Sequence, residues 1–176
     1  MTYIFAGREG GGMMRRALVF LGVVVGCILL AVVAIVLVGG SLLVRRTFPT
    51  IDGAVQVPGL SSTVEVYRDR WGVPHIYAQN VEDLFFAQGY VTAQDRLWHM
   101  EFNRRAGSGT LSEVLGEATL DTDRFIRTLG WRRVAEEEID LLSEEALTML
   151  EAYSAGANAF IDGHRSSLPL EFTILG

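Results

Sequence analysis

A long apolar run occupies the first quarter of the chain. Residues 17–38 include sixteen Leu, Ile, Val or Phe side chains, and no charged residue appears between positions 17 and 44. A helix of that run, at about 1.5 Å per residue, spans about 33 Å, which exceeds the roughly 30 Å hydrocarbon core of a bilayer. The apolar region of a cleavable signal peptide is usually only about 7–15 residues long. The pattern therefore predicts an uncleaved transmembrane helix over residues 17–44, and a cleaved signal peptide is the alternative.

The arginines beside this run give only a slight positive-inside bias, because three precede it and two follow it. All the sequence that could fold follows the run. The simplest topology therefore makes residues 1–16 a short cytoplasmic tail and places the body outside the cytoplasm. Pro and Gly residues mark a linker over residues 45–62. We expect a membrane-anchored protein whose folded body covers residues 63–176.

The body begins with an alternating pattern and then changes to a helical one. Two β-branched, alternating runs at residues 63–67 and 73–77 flank a polar turn, which predicts a β-hairpin. From Asn80 onward, apolar side chains recur every three or four residues, which predicts a helix that ends at Gly107. Gly89 interrupts this helix at a cost of about 1 kcal/mol relative to Ala, so we expect a close packing contact there.

Three further helices are predicted after the first long one. The first covers residues 111–115 and ends at Gly116. The second runs over residues 131–142. The third begins after Ser143, a good N-cap residue, and ends at Gly163.

Charge and cysteine content exclude several function classes. Every basic residue is Arg. The net charge of −6 is the sum of +4 over residues 1–46 and −10 over residues 47–176. An acidic body repels phosphate, so we expect no nucleic-acid partner. Cys27 is the only cysteine, which excludes an intrachain disulfide and a cysteine-based zinc site.

The residues alone indicate no catalytic, cofactor or metal site. The three histidines are His75, His99 and His164. His99 and Glu101 are two positions apart on a helix, which makes a poor metal pair. No phosphate-binding glycine loop and no Gly-x-Ser-x-Gly motif occurs. We therefore assign no catalytic, cofactor-binding or metal-binding residue within this chain.

Several blocks in order resemble the penicillin acylase (penicillin amidase) family. The resemblance runs from about residue 63 to the end of the sequence, and five blocks carry it: residues 66–78 (VYRDRWGVPHIYA), 83–98 (DLFFAQGYVTAQDRLW), 104–116 (RR followed by GTLSEVLG), 150–153 (LEAY) and 168–172 (LPLEF). Because the blocks are separate and correctly ordered, the resemblance is far more specific than any single motif.

The resemblance implies an N-terminal-nucleophile hydrolase of α+β class. The hairpin and the helices after it would be the N-terminal portion of an αββα sandwich. Members are made as precursors that cut themselves into an α and a β chain, and the new N-terminal Ser of the β chain attacks the substrate amide. Its own α-amino group, with an ordinary pKa of about 7.7–8.0, serves as the base. The implied partners are the β chain of the same precursor and an acylated amide such as a penicillin or an acyl-homoserine lactone.

This sequence lacks the family's catalytic part. No Gly-Ser-Asn triplet occurs, and the chain stops in an apolar stretch, so we interpret it as a fragment of the α-chain region. The family's calcium-binding and acyl-pocket residues lie later in the sequence, and calcium is therefore implied only for the complete protein. A non-catalytic membrane-anchored relic or binding domain is the alternative function.

The resemblance also suggests structural roles for matched residues. We expect aromatic core residues at Trp71, Tyr90, Trp98 and Phe102. Buried ion pairs that tie the long helix to the sheet are expected at Asp95, Arg96, Arg104 and Arg105.

Overall fold

The computed structural model describes residues 11–48 and 51–175, and the chain divides between Arg46 and Thr47 into two units. The first unit is helix α1, Gly11–Arg46. Within it, Leu18–Leu42 is long and apolar enough to cross a membrane, and none of this stretch is buried in the protein. Length and composition alone support this span, and a signal sequence has the same properties. Residues 1–10 of the predicted tail lie outside the described residues.

The second unit begins with the predicted hairpin. Strands β1, Glu65–Arg68, and β2, Pro74–Tyr77, pair antiparallel with Glu65 opposite Tyr77 and Arg68 opposite Pro74. Pro74, which has no N–H to donate, stands at the start of its strand, where a missing donor costs least. Gly72 closes the turn with φ +78°, a conformation that glycine adopts without steric cost. The hairpin prediction is confirmed.

Helix α2, Val81–Ser108, starts as predicted and ends later. The Asn80 side chain accepts a hydrogen bond from the backbone N–H of Asp83 and so caps the N-terminus of the helix. The predicted end at Gly107 is wrong, because Gly107 stays helical and Gly109 adopts the left-handed conformation that ends the helix. The backbone of Arg96 is not helical, with φ −146° and ψ 32°, so α2 is kinked there.

Five more α-helices and two short 3-10 helices, Gly116–Thr119 and Ile139–Leu141, complete the described part of the second unit. The predictions missed α4 and α7, and the predicted helix over 131–142 ends as regular α-helix at Glu138. Ser143 caps the last long helix through the Ala146 N–H, as expected. The bounds are α3, Ser112–Leu115; α4, Leu120–Leu129; α5, Trp131–Glu138; α6, Glu144–Gly163; and α7, Leu170–Leu175.

The core lies where α2 crosses α6. Its buried residues are Ala93, Leu97, Ala157 and Phe160. The two backbones approach so closely that a Cβ on Gly89 would overlap the carbonyl oxygen of Tyr153, and one on Gly156 would overlap that of Phe86. The close contact expected at Gly89 is therefore confirmed, and Gly156 is its counterpart on α6.

The aromatic core prediction holds only in part. Tyr90, Trp98 and Phe102 are partly buried. Trp71 is 76% exposed, so the prediction is wrong there. It lies in the hairpin turn beyond the paired strands, where its ring meets the Arg70 guanidinium at 4.9 Å instead of a packed layer. The described chain is mostly helical, with a single two-stranded sheet.

Candidate functional site

A buried carboxylate ties the segment before the hairpin to the start of α2. Asp83 is only 2% exposed and accepts hydrogen bonds from the backbone N–H groups of Ser61 and Ser62, at 2.8 and 2.9 Å. The Ser61 hydroxyl and the Asn80 amide each donate to it at 2.8 Å. The Ser61 N–H, above all, lowers the pKa of Asp83 below its ordinary value, against the opposing effect of burial. Asp83 therefore stays ionised and holds residues 61–62 against the helix.

A second polar cluster joins the hairpin to α2 at its kink. Arg68 donates to both carboxylate oxygens of Asp95 at 2.8 Å and to the Gln94 side-chain carbonyl at 2.9 Å. It also donates to the Gly72 carbonyl of the turn at 3.2 Å. Its side chain is 15% exposed and that of Asp95 is 26% exposed. A bidentate arginine–carboxylate pair fixes orientation as well as distance, so the hairpin is oriented on the helix immediately before the kink.

A third cluster closes the C-terminal end of α2. Asp123, 2% exposed, accepts from the backbone N–H groups of Leu111 and Ser112 at 3.0 and 2.7 Å. Burial raises the pKa of Asp123, but the hydrogen bonds from Ser112 and Leu111 and the charge of Arg127 outweigh that effect and leave the pKa below its ordinary value. Arg127 donates to the Gly109 carbonyl at 2.7 Å.

The predicted ion pairs have mixed outcomes. Asp95 and Arg105 are confirmed as partly buried members of pairs, and Arg105 bonds Glu101 at 2.7 Å. Arg104 also pairs with Glu101 but is 58% exposed. The prediction is wrong for Arg96, whose kinked backbone leaves it exposed and for which no ion pair within the described residues is found.

An open groove of about 690 Å³ runs between residues 51–68 and one face of α2. Phe86, Tyr90 and Val91 contribute to its helical side, and Arg68 and Gln94 stand at one end. Burial raises the pKa of Tyr90. The groove is apolar along most of its α2 side and polar near Arg68 and Gln94, so it can accommodate an extended chain or strand.

The three histidines do not form a reactive group among the described residues. His75 Nε2 lies 3.5 Å from the Asp69 carboxylate on the exposed hairpin. His164 Nδ1 lies 2.8 Å from the Phe160 carbonyl and its ring stacks on that of Phe160. Within residues 11–48 and 51–175, we find no group of three or more His, Cys, Asp or Glu side chains that could hold a metal ion. The statement that this chain holds no catalytic residue stays a prediction.

Sequence reasoning missed the two buried aspartates. Neither Asp83 nor Asp123 is singled out by the sequence pattern. Both accept backbone N–H groups from segments that lie 11 to 22 positions away, so periodicity does not reveal them. The sequence signal available for Asp83 is the presence of Ser61, Ser62 and Asn80, because small polar residues commonly supply such donors.

Comparison with known proteins gives the relationship of this chain. The Penicillin amidase family model matches residues 63–176. The chain is 42% identical over 132 residues to penicillin acylase 2 proenzyme of Pseudomonas sp. (strain SE83), covering 75% of this chain and 17% of that protein. It is 41% identical over 120 residues to penicillin G acylase of Escherichia coli, covering 66% and 14%. Identity to acyl-homoserine lactone acylase QuiP of Pseudomonas aeruginosa is 34% over 130 residues, covering 74% and 15%.

A solved structure shows the same architecture. The thermostable penicillin G acylase from Alcaligenes faecalis superposes with a TM-score of 0.57 at 34% identity, over 63% of this chain and 60% of that one. The chain spans about one sixth of the length of the curated relatives it matches. The family model covers well over half of the sequence, and the relatives agree with it. The chain therefore belongs to the penicillin amidase family.

Proposed function

We propose that this chain is the N-terminal part of the precursor of a membrane-anchored amidohydrolase, which cleaves linear amide bonds of acylated substrates. The single observation that carries the proposal is the 42% identity to a penicillin acylase proenzyme over 75% of this chain. Penicillins and acyl-homoserine lactones are the substrate classes, because proteins named for both kinds of acylase are similar to it.

In this proposal the chemistry belongs to residues beyond this chain. A Ser exposed at the N-terminus of a β chain attacks the amide carbonyl, and its own α-amino group takes up the proton. A hydroxyl is a weak nucleophile near neutral pH and needs an adjacent base whose pKa is close to that pH. The relative from Pseudomonas sp. (strain SE83) is named a proenzyme, which supports processing into two chains.

The part of this chain after Arg46 supplies scaffold in the proposed enzyme. Three sets of hydrogen bonds fix the hairpin and the two ends of α2. They are made by Asp83, by the Arg68–Asp95 pair and by Asp123. The hairpin would join the larger sheet of an αββα sandwich. The groove beside α2 offers room for a further strand or segment of the same precursor.

The proposal places the body outside the cytoplasm, anchored through residues 17–44, with residues 1–16 as tail and 45–62 as linker. The exposed apolar stretch Leu18–Leu42 supports this placement. Calcium is proposed only for the complete protein. The described residues offer no ligand set for it, and no step of the reaction is assigned to it here.

The test extends the reading frame past Gly176 at its natural locus. We expect a Gly-Ser-Asn triplet downstream, self-cleavage of the longer product at its Ser, and hydrolysis of penicillin G or an acyl-homoserine lactone. Replacing that Ser by Ala is expected to abolish both cleavage and hydrolysis. The matched control is the 176-residue chain itself, for which hydrolysis is expected at background.

Two outcomes would contradict the proposal. A stop codon directly after codon 176 would favour the non-catalytic membrane-anchored domain. Turnover of either substrate by the 176-residue chain, purified free of host acylases, would place the nucleophile within this chain.

A further inference from the structure

An open hollow lies beside the C-terminal end of α2 and the beginning of α5. Its volume is about 350 Å³, and its lining includes the apolar side chains of Ile126 and Trp131 together with three arginines, Arg127, Arg132 and Arg133. Trp131 is 55% exposed. Guanidinium groups and an aromatic face therefore border the same small space.

Two of these arginines lie over glycine residues that end helices. A Cβ on Gly109 would be 2.8 Å from Cγ of Arg127, and one on Gly130 would be 3.1 Å from a terminal nitrogen of Arg133. Both glycines have left-handed backbones, with φ +65° and +75°. Because these positions have no side chain, the Arg127 and Arg133 side chains lie directly over the backbone, and both residues line the hollow.

The hollow is positively charged on an acidic body. Glu136 is the one carboxylate in the described lining, and Arg132 already pairs with it at 2.8 Å. Within residues 11–48 and 51–175, no ion pair or hydrogen bond of Arg133 is found. Arg127 donates through Nε to the Gly109 carbonyl, and its charge also acts on the buried Asp123 carboxylate. The first turn of α5 contains no acidic residue beside these arginines.

We propose that this hollow binds a small organic carboxylate, with the carboxylate group on Arg127 and Arg133 and an apolar group against Trp131 and Ile126. Guanidinium groups match carboxylates in geometry and form charge-assisted hydrogen bonds with them. The indole supplies apolar contact area that an inorganic anion would leave unused. The site is separate from amide hydrolysis and uses only residues of this chain.

The test uses the full 176-residue chain in a neutral detergent, labelled with 5-fluorotryptophan. The chain has three Trp residues, so fluorine NMR gives three signals, and Trp131→Phe identifies one of them. Titration with phenylacetate near neutral pH is expected to shift the Trp131 signal with a dissociation constant of about 1 mM, as a ligand of this size allows. The signals of Trp71 and Trp98 are expected to stay in place and serve as internal controls.

Matched variants assign the charge. Arg133→Gln keeps most of the side-chain length and is expected to weaken phenylacetate binding about tenfold. Arg124→Gln removes an exposed arginine of α4 that pairs with Asp121 outside the hollow, and it is expected to bind as the wild type does. An unchanged Trp98 signal in both variants shows that the fold is retained.

Ligand analogues test both halves of the proposal. The uncharged 2-phenylethanol and the small anion acetate are each expected to bind at least about tenfold more weakly than phenylacetate. The proposal is overturned if phenylacetate leaves the Trp131 signal unmoved at 50-fold the expected dissociation constant, about 50 mM. It is equally overturned if Arg133→Gln binds phenylacetate as tightly as Arg124→Gln does, or if either analogue matches phenylacetate.

Discussion

The crossing of α2 and α6 leaves no room for a side chain at two positions. In Gly156→Ala, the new Cβ would lie 2.7 Å from the Phe86 carbonyl carbon and nearer still to its oxygen. Ordinary contact begins at 3.4 Å. The obstacle is backbone on the facing helix, which cannot rotate away as a side chain could. The two helices must therefore move apart by more than about 0.7 Å.

The cost follows from that separation. A gap of about 0.5–1 Å forfeits a quarter to a half of each dispersion contact, and Leu97 and Phe160 make such contacts across the crossing. Overpacking costs about 1–3 kcal/mol, and a backbone obstacle places this case at the upper end. Alanine returns at most about 1 kcal/mol through its better helix propensity. We expect a net destabilisation of about 2 kcal/mol for Gly156→Ala, and a similar value for Gly89→Ala.

Hydrogen–deuterium exchange of the full chain in micelles measures this effect locally. A loss of about 2 kcal/mol corresponds to roughly 30-fold faster exchange in peptides of α2 and α6. Peptides of α1 serve as an internal reference. The matched control is Gly107→Ala in the same helix, where a Cβ meets nothing within 4 Å, and exchange there is expected to be equal or slower.

The double variant sharpens the test. One separation of the helices relieves both overlaps, so Gly89→Ala combined with Gly156→Ala is expected to cost clearly less than the two single changes added together. Exchange in Gly156→Ala that is no faster than in Gly107→Ala would refute the close approach of the two backbones.

Three further outcomes are expected. Arg68→Gln should destabilise the hairpin by about 1.5–3 kcal/mol, because it removes a charged, partly buried donor. The control Arg124→Gln, at an exposed pair, should cost less than about 1 kcal/mol. Urea titrations measure the free energy of unfolding of both variants. The pKa of Asp83 is lowered on folding, so its contribution to stability is complete above its ordinary pKa of 3.8 and is lost only as the pH falls through the lower folded value. Acid titration of Asp83→Asn should therefore lack this loss, and an unchanged acid profile would contradict the network. The full chain should resist carbonate extraction from membranes through Leu18–Leu42, and recovery of a soluble product without that stretch would show a cleaved signal instead.

The sequence predicted those features that depend on neighbouring residues. The hairpin follows from alternation around a polar turn, and the start of α2 and of α6 follows from Asn80 and Ser143, whose caps act within three positions. Gly89 was recognised because a mid-helix glycine carries a cost that packing must offset. Local physics therefore accounts for most of the element boundaries.

Features that depend on distant residues were not predicted. The end of α2 was placed at Gly107, although Arg127 and Asp123 lie against Gly109 and the helix continues to it. The family resemblance predicts Trp71 in the core, but the hairpin turn holds it in solvent. Helix α4 was missed because its main anchor is Asp123, which accepts backbone N–H groups from the preceding α3 region.

The α2–α6 crossing also has a consequence for synthesis. Phe86 on α2 and Gly156 on α6 are separated by about 70 residues, and this crossing contains the main core cluster of the unit. At about 5–20 residues per second, α2 is made roughly 4–14 s before its partner helix. During that interval the apolar face of α2 has no α6 to cover it, while the apolar α1 has already been synthesised. A chaperone that covers α2 therefore has several seconds in which to act.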